Sequence, residues 1–161
     1  MDDICIHIIK NELTKRGWTI VSQQDPTLHI SKNDDSNCNR EVLIKCWTAC
    51  IPTVGWESSL FDLTTWGIHE PISGNTHSFV ILVISHGSLN PSEIFIFPTA
   101  FYKSIIMGSD KANDKYRVFI SRYRKDKKWY ARKAAMVTLK SIFPSTVTDV
   151  TKYNNNFAQL D

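Results

Sequence analysis

The stretch FVILVIS, residues 79–85, decides the fold class of this chain. From Phe79 to Ile84 it is apolar without a break. A continuous apolar run of this kind, rich in β-branched residues, is typical of a strand that is covered on both faces. Such a strand needs other elements packed on each side of it. We therefore predict a sheet that is buried around this strand.

The elements around this strand complete a mixed order of helices and strands. Residues 4–16 carry Ile6, Ile9 and Leu13 on one helical stripe, which predicts a helix that ends at Gly17. Further strands are predicted at 18–23, 27–31, 41–47, 93–97 and 116–121, and further helices near 56–63, 101–107 and 129–143. This order predicts an α/β or α+β fold in which a central mixed β-sheet is flanked by helices.

Length and composition limit the number of domains. The 161 residues, of which 42% are hydrophobic, suffice for one ordinary domain but not for two independent cores and a linker. We predict a single domain over 1–145 and a polar extension over 146–161 that docks loosely on it. No apolar run is long enough to span a membrane. With acidic residues at positions 2 and 3, a secretory signal is not expected either, and we predict a cytoplasmic protein without a membrane partner.

Cysteines and tryptophans are expected to serve mainly as core residues. The cysteine spacing contains no paired CxxC, so we expect reduced thiols that pack as small hydrophobic side chains. A zinc site would have to combine three cysteines with one of the scattered histidines. The cysteines are Cys5, Cys38, Cys46 and Cys50, of which the last three could form that zinc site. The tryptophans expected in the core are Trp56 and Trp66.

The net charge of +3 conceals an uneven distribution. Between Lys111 and Lys140 there are eleven basic residues against two acidic ones, a local charge of +9 that leaves −6 for the rest of the chain. Aromatic residues interleave with these cations. Cations neutralise phosphates and aromatic rings stack on bases, so the segment favours DNA or RNA as a partner. A solvated basic face whose aromatic residues belong to the core is the alternative. The residues expected to contact nucleic acid are Arg117, Arg122, Arg124, Lys125, Lys127, Lys128, Arg132 and Lys133.

A carboxylate and a lysine stand where two neighbouring strands can bring them together. Asp25 precedes the strand at 27–31, and Lys45 comes late in the strand at 41–47. If these strands form a hairpin, both side chains converge on one edge of the sheet. There the carboxylate can hold a divalent metal, and the ammonium can position or deprotonate an attacking water.

Together with 79–85 and the strand before Pro98, this pattern resembles the PD-(D/E)xK restriction-endonuclease-like superfamily. The resemblance runs from the first helix to the helix after Pro98. It implies a restriction-endonuclease-like fold and a hydrolase that cleaves phosphodiester bonds of DNA or RNA with Mg²⁺. By similarity, Asp25 is the metal-binding catalytic aspartate and Lys45 the catalytic lysine. Glu12 matches a helix position at which some members carry an extra acidic residue.

One position departs from the family pattern. Two residues before the lysine, where the family carries an acid, the chain has Leu43. Glu41 has the same strand parity but lies ~13 Å from Lys45 at ~3.3 Å per residue. Either another carboxylate completes the site, with Glu12, Glu41, Asp34 and Asp35 as candidates, or the domain is catalytically inactive and binds nucleic acid or a protein. A homodimer and a pure protein-interaction module also remain open.

Overall fold

A computed structural model describes residues 3–32, 35–53, 55–69, 77–86, 93–107, 110–112, 115–132 and 147–161. The helices in this part of the chain are α1 (Asp3–Lys15), α2 (Gly55–Leu60) and α3 (Thr99–Met107). None of these helices combines the length and hydrophobicity needed to cross a bilayer. The strands are β1 (Trp18–Gln24), β2 (Thr27–Lys32), β3 (Asp35–Thr48), β4 (Phe61–His69), β5 (Phe79–Ser85), β6 (Glu93–Pro98), β7 (Asp110–Ala112), β8 (Lys115–Tyr123), β9 (Trp129–Arg132) and β10 (Thr148–Asp149).

The described strands form two sheets. Sheet A has the order β1-β2-β3-β5-β6, and its β3 and β5 run parallel while its other pairs are antiparallel. Sheet B has the order β10-β9-β8-β4, with β7 added beside β8, and is antiparallel throughout. The predicted mixed sheet is therefore confirmed, and the fold is a sheet-rich α+β fold. The prediction that helices flank the sheet holds only in part, because sheet B covers much of one face.

The apolar stretch at 79–85, which forms β5, supplies side chains to two separate cores. Ile81 and Val83 join the first core, in which α1 packs on sheet A. Val80, Leu82 and Ile84 join the second core, which sheet A shares with sheet B and α3. Successive side chains of a strand point to opposite faces, so one apolar run can fill both cores.

The C-terminal residues are part of these cores. Two 3₁₀ turns, Thr151–Tyr153 and Phe157–Leu160, follow β10. Val150 and Tyr153 are buried in the second core, whereas Phe157 and Leu160 are buried in the first. Apolar residues spaced three to four positions apart allow an otherwise polar segment to pack closely. Residues 147–161 therefore form an integral part of the fold rather than a loosely docked extension.

The helix predicted over 129–143 is wrong at its start, where β9 pairs with β8. All of Trp129–Arg132 is buried. A central strand that is covered on both faces has no amphipathic alternation to distinguish it from a helix, which explains the error. Residues 133–143 lie outside the described part of the chain.

One cysteine pair also differs from expectation. Cys5 of α1 and Cys46 of β3 form a disulfide with a Cα–Cα distance of 6.2 Å, so the expectation of reduced thiols is wrong for this pair. Packing of α1 on β3 brings these distant residues together, which spacing along the sequence did not reveal. Cys38 and Cys50 are free thiols. Among the described residues, no group of three or more histidine, cysteine or acidic side chains could hold a metal ion, so a zinc site of Cys38, Cys46 and Cys50 is not formed there.

Candidate functional site

The ladder between β2 and β3 places the predicted catalytic pair. Thr27 stands opposite Leu43, and each step along β2 moves the partner one step back along β3. The amide of Ile44 donates to the carbonyl oxygen of Pro26 over 2.8 Å, which extends the ladder by one step. Asp25 lies one residue beyond this contact in the β1–β2 turn, and Lys45 lies one residue beyond it in β3. The structure therefore brings these two residues to the same end of neighbouring strands.

The two members of this pair have different surroundings. Asp25 lies exposed in the turn between β1 and β2, and its Oδ1 accepts a hydrogen bond of 2.6 Å from Gln23 Nε2. Lys45 is half-buried inside β3, beside Leu82 of β5. Lys45 shares a strand face with Leu43 and Trp47, which both pack against the second core. Asp25 is thus exposed to solvent, whereas Lys45 is half-buried at the border of the second core.

The acid position of the family pattern is used for packing in this chain. Leu43 contacts the second core and offers no ligand. Mg²⁺ is usually bound by one or two carboxylates together with substrate phosphates. At this end of the ladder, Asp25 supplies the one carboxylate among the described residues, so phosphate oxygens of a substrate would have to complete any Mg²⁺ site.

Glu41 is the centre of a second polar group on the same face of sheet A. Its Oε1 lies 3.4 Å from His77 Nε2, and its Oε2 lies 3.8 Å from His29 Nδ1. His77 Nε2 is also 2.8 Å from the hydroxyl of Thr27. The backbone amide of Ser78 donates to the carbonyl oxygen of Glu41 over 2.9 Å, which holds the start of β5 beside Glu41. This group gathers one carboxylate, two imidazole rings and one hydroxyl on one face of the sheet.

An open cavity of about 460 Å³ lies beside Glu41. Polar and apolar atoms line it in nearly equal measure, and β1, β2 and β3 contribute all but one of its residues. The lining residues are Val21, Ser22, His29, Ile30, Asn39, Arg40, Glu41 and Ser78. The cavity gives Glu41 access to a ligand, but Glu41 lies four residues before Lys45 along β3, which keeps the two groups apart.

Glu12 is not brought to either group. It lies on α1, which packs on the opposite face of sheet A, and it lines a cavity with Glu93 and Asn154 at the β6 edge. Hydrogen bonding to Arg16, followed by that to Lys15, outweighs partial burial and lowers the pKa of Glu12. Its carboxylate is thus occupied by cations of its own helix.

The predicted basic residues fall into three environments. Arg124, Lys125, Lys127 and Lys128 are exposed in and beside the turn between β8 and β9, and Arg117 is exposed on β8. Arg122 is half-buried. The side chain of Arg132 has no exposed surface and pairs with Glu57, so we assign it a structural role instead of a phosphate contact. Lys133 lies outside the described residues.

Asp62 anchors the base of this turn. Its Oδ1 accepts from Arg122 Nε over 2.8 Å and its Oδ2 from Lys127 Nζ over 2.6 Å. Burial by itself would raise the pKa of Asp62, but the hydrogen bonds and charges of these two cations outweigh it, and the pKa is lowered. The cations are thereby held in place at the surface.

We expect Asp62→Asn to lower the free energy of unfolding by about 1–2 kcal/mol at pH 7, because it removes charge-assisted hydrogen bonds. The pKa of the folded state lies below the unfolded value of about 3.9, so this stabilisation is complete above that value and disappears as the pH falls through the folded pKa. Urea unfolding of both proteins at about pH 7, 5, 3 and 2 measures this difference. A difference that stayed constant down to about pH 2 would contradict the assignment.

Comparison of the chain with protein-family models, with curated proteins and with solved structures gives no match. Sequence reasoning missed the contacts of Glu41 with His29 and His77. The register of the β2–β3 hairpin could have placed His29 opposite Glu41, but His77 follows 36 residues later in the sequence and no local pattern connects the two.

Proposed function

We propose that the protein is a nucleic-acid-acting domain of the PD-(D/E)xK restriction-endonuclease-like type. The observation that carries this proposal is the β2–β3 register, whose last contact, between Pro26 and Ile44, is adjacent in sequence to both Asp25 and Lys45. An acid and a lysine on adjacent strands of a mixed sheet are the arrangement that the resemblance implies. The parallel pairing of β3 with β5 also supports the proposal, because it embeds the lysine-bearing strand in the middle of the sheet.

The roles of the two residues follow from their chemistry. The Lys45 ammonium is a compact cation that can contact a backbone phosphate and orient a water beside it. The Asp25 carboxylate is solvent-exposed and can accept a proton or take part in binding a cation that the nucleic acid carries. Mg²⁺ dependence is the expectation that comes with the resemblance.

The exposed cations of the β8–β9 turn supply the electrostatic part of the proposal. Neutralising a phosphate releases counterions, and each neutralised phosphate of duplex DNA adds ~0.9 to the slope of log affinity against log salt. If Arg124, Lys125, Lys127 and Lys128 contact the backbone, their joint replacement by glutamine reduces that slope.

The test combines binding and cleavage by the purified chain. We expect salt-dependent binding of oligonucleotides, and cleavage in Mg²⁺ or Mn²⁺ that Lys45→Ala and Asp25→Asn reduce by about 100-fold, the usual size of a general acid–base contribution. Lys15→Ala is the matched control, because Lys15 is an exposed lysine on α1 that pairs only with its own helix. A wild-type protein that neither binds nor cleaves nucleic acid would falsify the proposal.

A second candidate is a catalytically inactive domain of the same architecture that binds nucleic acid. The packing of Leu43 against the second core favours it, because this residue replaces the acid of the family pattern. Binding without cleavage by the wild-type protein, with Asp25→Asn binding as tightly as the parent, identifies this candidate. Cleavage that depends on Lys45 excludes it.

A further inference from the structure

An aromatic pair lies on the outer face of sheet B. Trp66 belongs to β4, the strand at the edge of the sheet, and it stands directly opposite Phe119 of β8. The two rings stack with centroids 6.3 Å apart and planes inclined by 24°. Trp66 is 50% exposed, so the expectation that it belongs to the core is wrong.

Strand alternation explains why this tryptophan faces outward. A Cβ added to the neighbouring Gly67 would meet the ring of Trp47, which packs with the second core from sheet A. Position 67 therefore faces sheet A, and position 66 faces away from it. Val118 and Ile120 are likewise buried in the second core, which turns Phe119 to the same outer face as Trp66.

Cations flank the pair. The guanidinium carbon of the exposed Arg117 lies 5.6 Å from the centroid of the Trp66 ring. On the other side, the buried Arg132 lies 4.8 Å from the centroid of the Phe119 ring. The exposed surface thus consists of the Trp66 ring with Arg117 beside it. Phe119 stacks on this ring, and the buried Arg132 lies against Phe119.

Scattered exposed apolar residues are normal on protein surfaces and need no explanation. This surface differs because the Trp66 ring lies against Phe119 and Arg117, which both belong to the Lys111–Lys140 segment that carries the +9 charge. Aromatic side chains on which bases stack, interleaved with cations for the backbone, are the features by which proteins bind single strands. Bases in a duplex are already stacked inside the helix and cannot lie on such a ring.

We propose that Trp66, Phe119 and Arg117 form a stacking platform for the unpaired bases of single-stranded nucleic acid. This proposal rests on the proposed function and specifies its substrate class. Trp66 receives a base on its exposed face, Phe119 holds the indole ring in place, and Arg117 balances the charge of the adjacent phosphate. Because stacking accepts every base, the platform does not select a sequence.

The test measures the affinity of the full chain for fluorescently labelled single-stranded DNA, single-stranded RNA and duplex DNA of equal length at one salt concentration. We expect Trp66→Ala to weaken single-strand binding by about 10-fold or more, Trp66→Phe to retain most of it, and duplex binding to change by less than about twofold. Ile4→Ser is the control, because Ile4 is an exposed apolar residue on α1, on the far side of sheet A. Its affinity should equal that of the parent.

Fluorescence gives an independent readout of the same contact. The emission of wild-type protein minus that of Trp66→Phe isolates residue 66 from the other four tryptophans, and single strands should quench this difference signal. Arg117→Gln removes the cation beside Trp66 but neither ring of the pair, so it should weaken single-strand binding while leaving the quench at saturation. The comparison of DNA with RNA identifies the natural strand.

The two proposals fail in different ways. If the wild-type protein binds single strands but Trp66→Ala binds them equally well and no quench occurs, the platform is wrong and the proposed function stands. If Trp66→Ala weakens duplex and single-strand binding equally, the surface does not select unpaired bases. If the wild-type protein binds no nucleic acid at all, both proposals are overturned.

Discussion

Replacing Arg132 with methionine is expected to lower the free energy of unfolding by about 3 kcal/mol, the size typical of a broken buried ion pair. The guanidinium donates to Glu57 Oε1 over 3.0 Å and to Ser121 Oγ over 2.8 Å. It also lies 5.0 Å from the centroid of the Phe61 ring. Burial lowers the pKa of this arginine and Glu57 opposes that shift, so the ion pair is what keeps the charge tolerable inside the protein.

Most of the lost stability comes from the Glu57 carboxylate, which remains in the protein after the substitution. Methionine fills much of the volume but leaves the carboxylate of Glu57 without its cation, in a position where little water reaches it. The variant Arg132→Met with Glu57→Gln removes that charge and should therefore be more stable than Arg132→Met alone.

Urea unfolding of the two single variants and the double variant measures the coupling energy. Arg124→Met is the matched control, because Arg124 is exposed and its Nε donates only to the Ser58 carbonyl oxygen; we expect less than about 1 kcal/mol there. If Arg132→Met cost no more than this control, the structural role of Arg132 would be wrong, and the residue would return to the candidate phosphate contacts.

Replacing Gly67 with alanine is expected to cost about 2–3 kcal/mol, the upper part of the range for overpacking a core. The added Cβ would lie 2.3 Å from Cε2 of Trp47 and 2.5 Å from its Cζ2 and Nε1. The obstacle is a ring packed against the second core, so either the indole or β4 has to move. Because Trp66 adjoins this position, a shift of β4 also displaces the proposed stacking platform.

Gly55→Ala is the matched control for this prediction. Gly55 begins α2, and a Cβ there meets nothing within 4 Å. Alanine in this helix should be neutral or slightly stabilising. Combining Gly67→Ala with Trp47→Leu should cost less than the sum of the two single changes, because the smaller side chain gives the methyl group room. Strict additivity would show that the two residues do not touch.

Local patterns predicted much of sheet A. The stripe of Ile6, Ile9 and Leu13 indicated α1, and all three residues are buried as expected. The strands predicted at 27–31 and 41–47 indicated the hairpin that brings Asp25 and Lys45 to the same end of neighbouring strands. The apolar run of β5 indicated burial on both faces. Each of these features depends on residues that are near neighbours in the sequence, so periodicity and turn chemistry describe them directly.

Sheet B and the second polar group depend on contacts between distant residues. The size of Trp66 predicts a core residue, and only the contact of Gly67 with Trp47 shows that Trp66 faces outward. Arg132 reads as one more surface cation, and only its burial against Glu57 shows otherwise. Nothing near Glu41 in the sequence indicates His77, because α2 and β4 lie between the two residues along the chain.

The sequence by itself determined the fold class, the hairpin, the α1 face and the concentration of positive charge, because these are properties of composition and of spacing along a strand or helix. The tertiary structure decided which cations remain at the surface, which aromatic ring is exposed, and how the C-terminal residues and Cys5 join the cores. These outcomes depend on which faces meet when two sheets pack. Which faces meet depends on how well the whole surfaces of the two sheets fit each other, and this fit cannot be predicted from a short stretch of sequence.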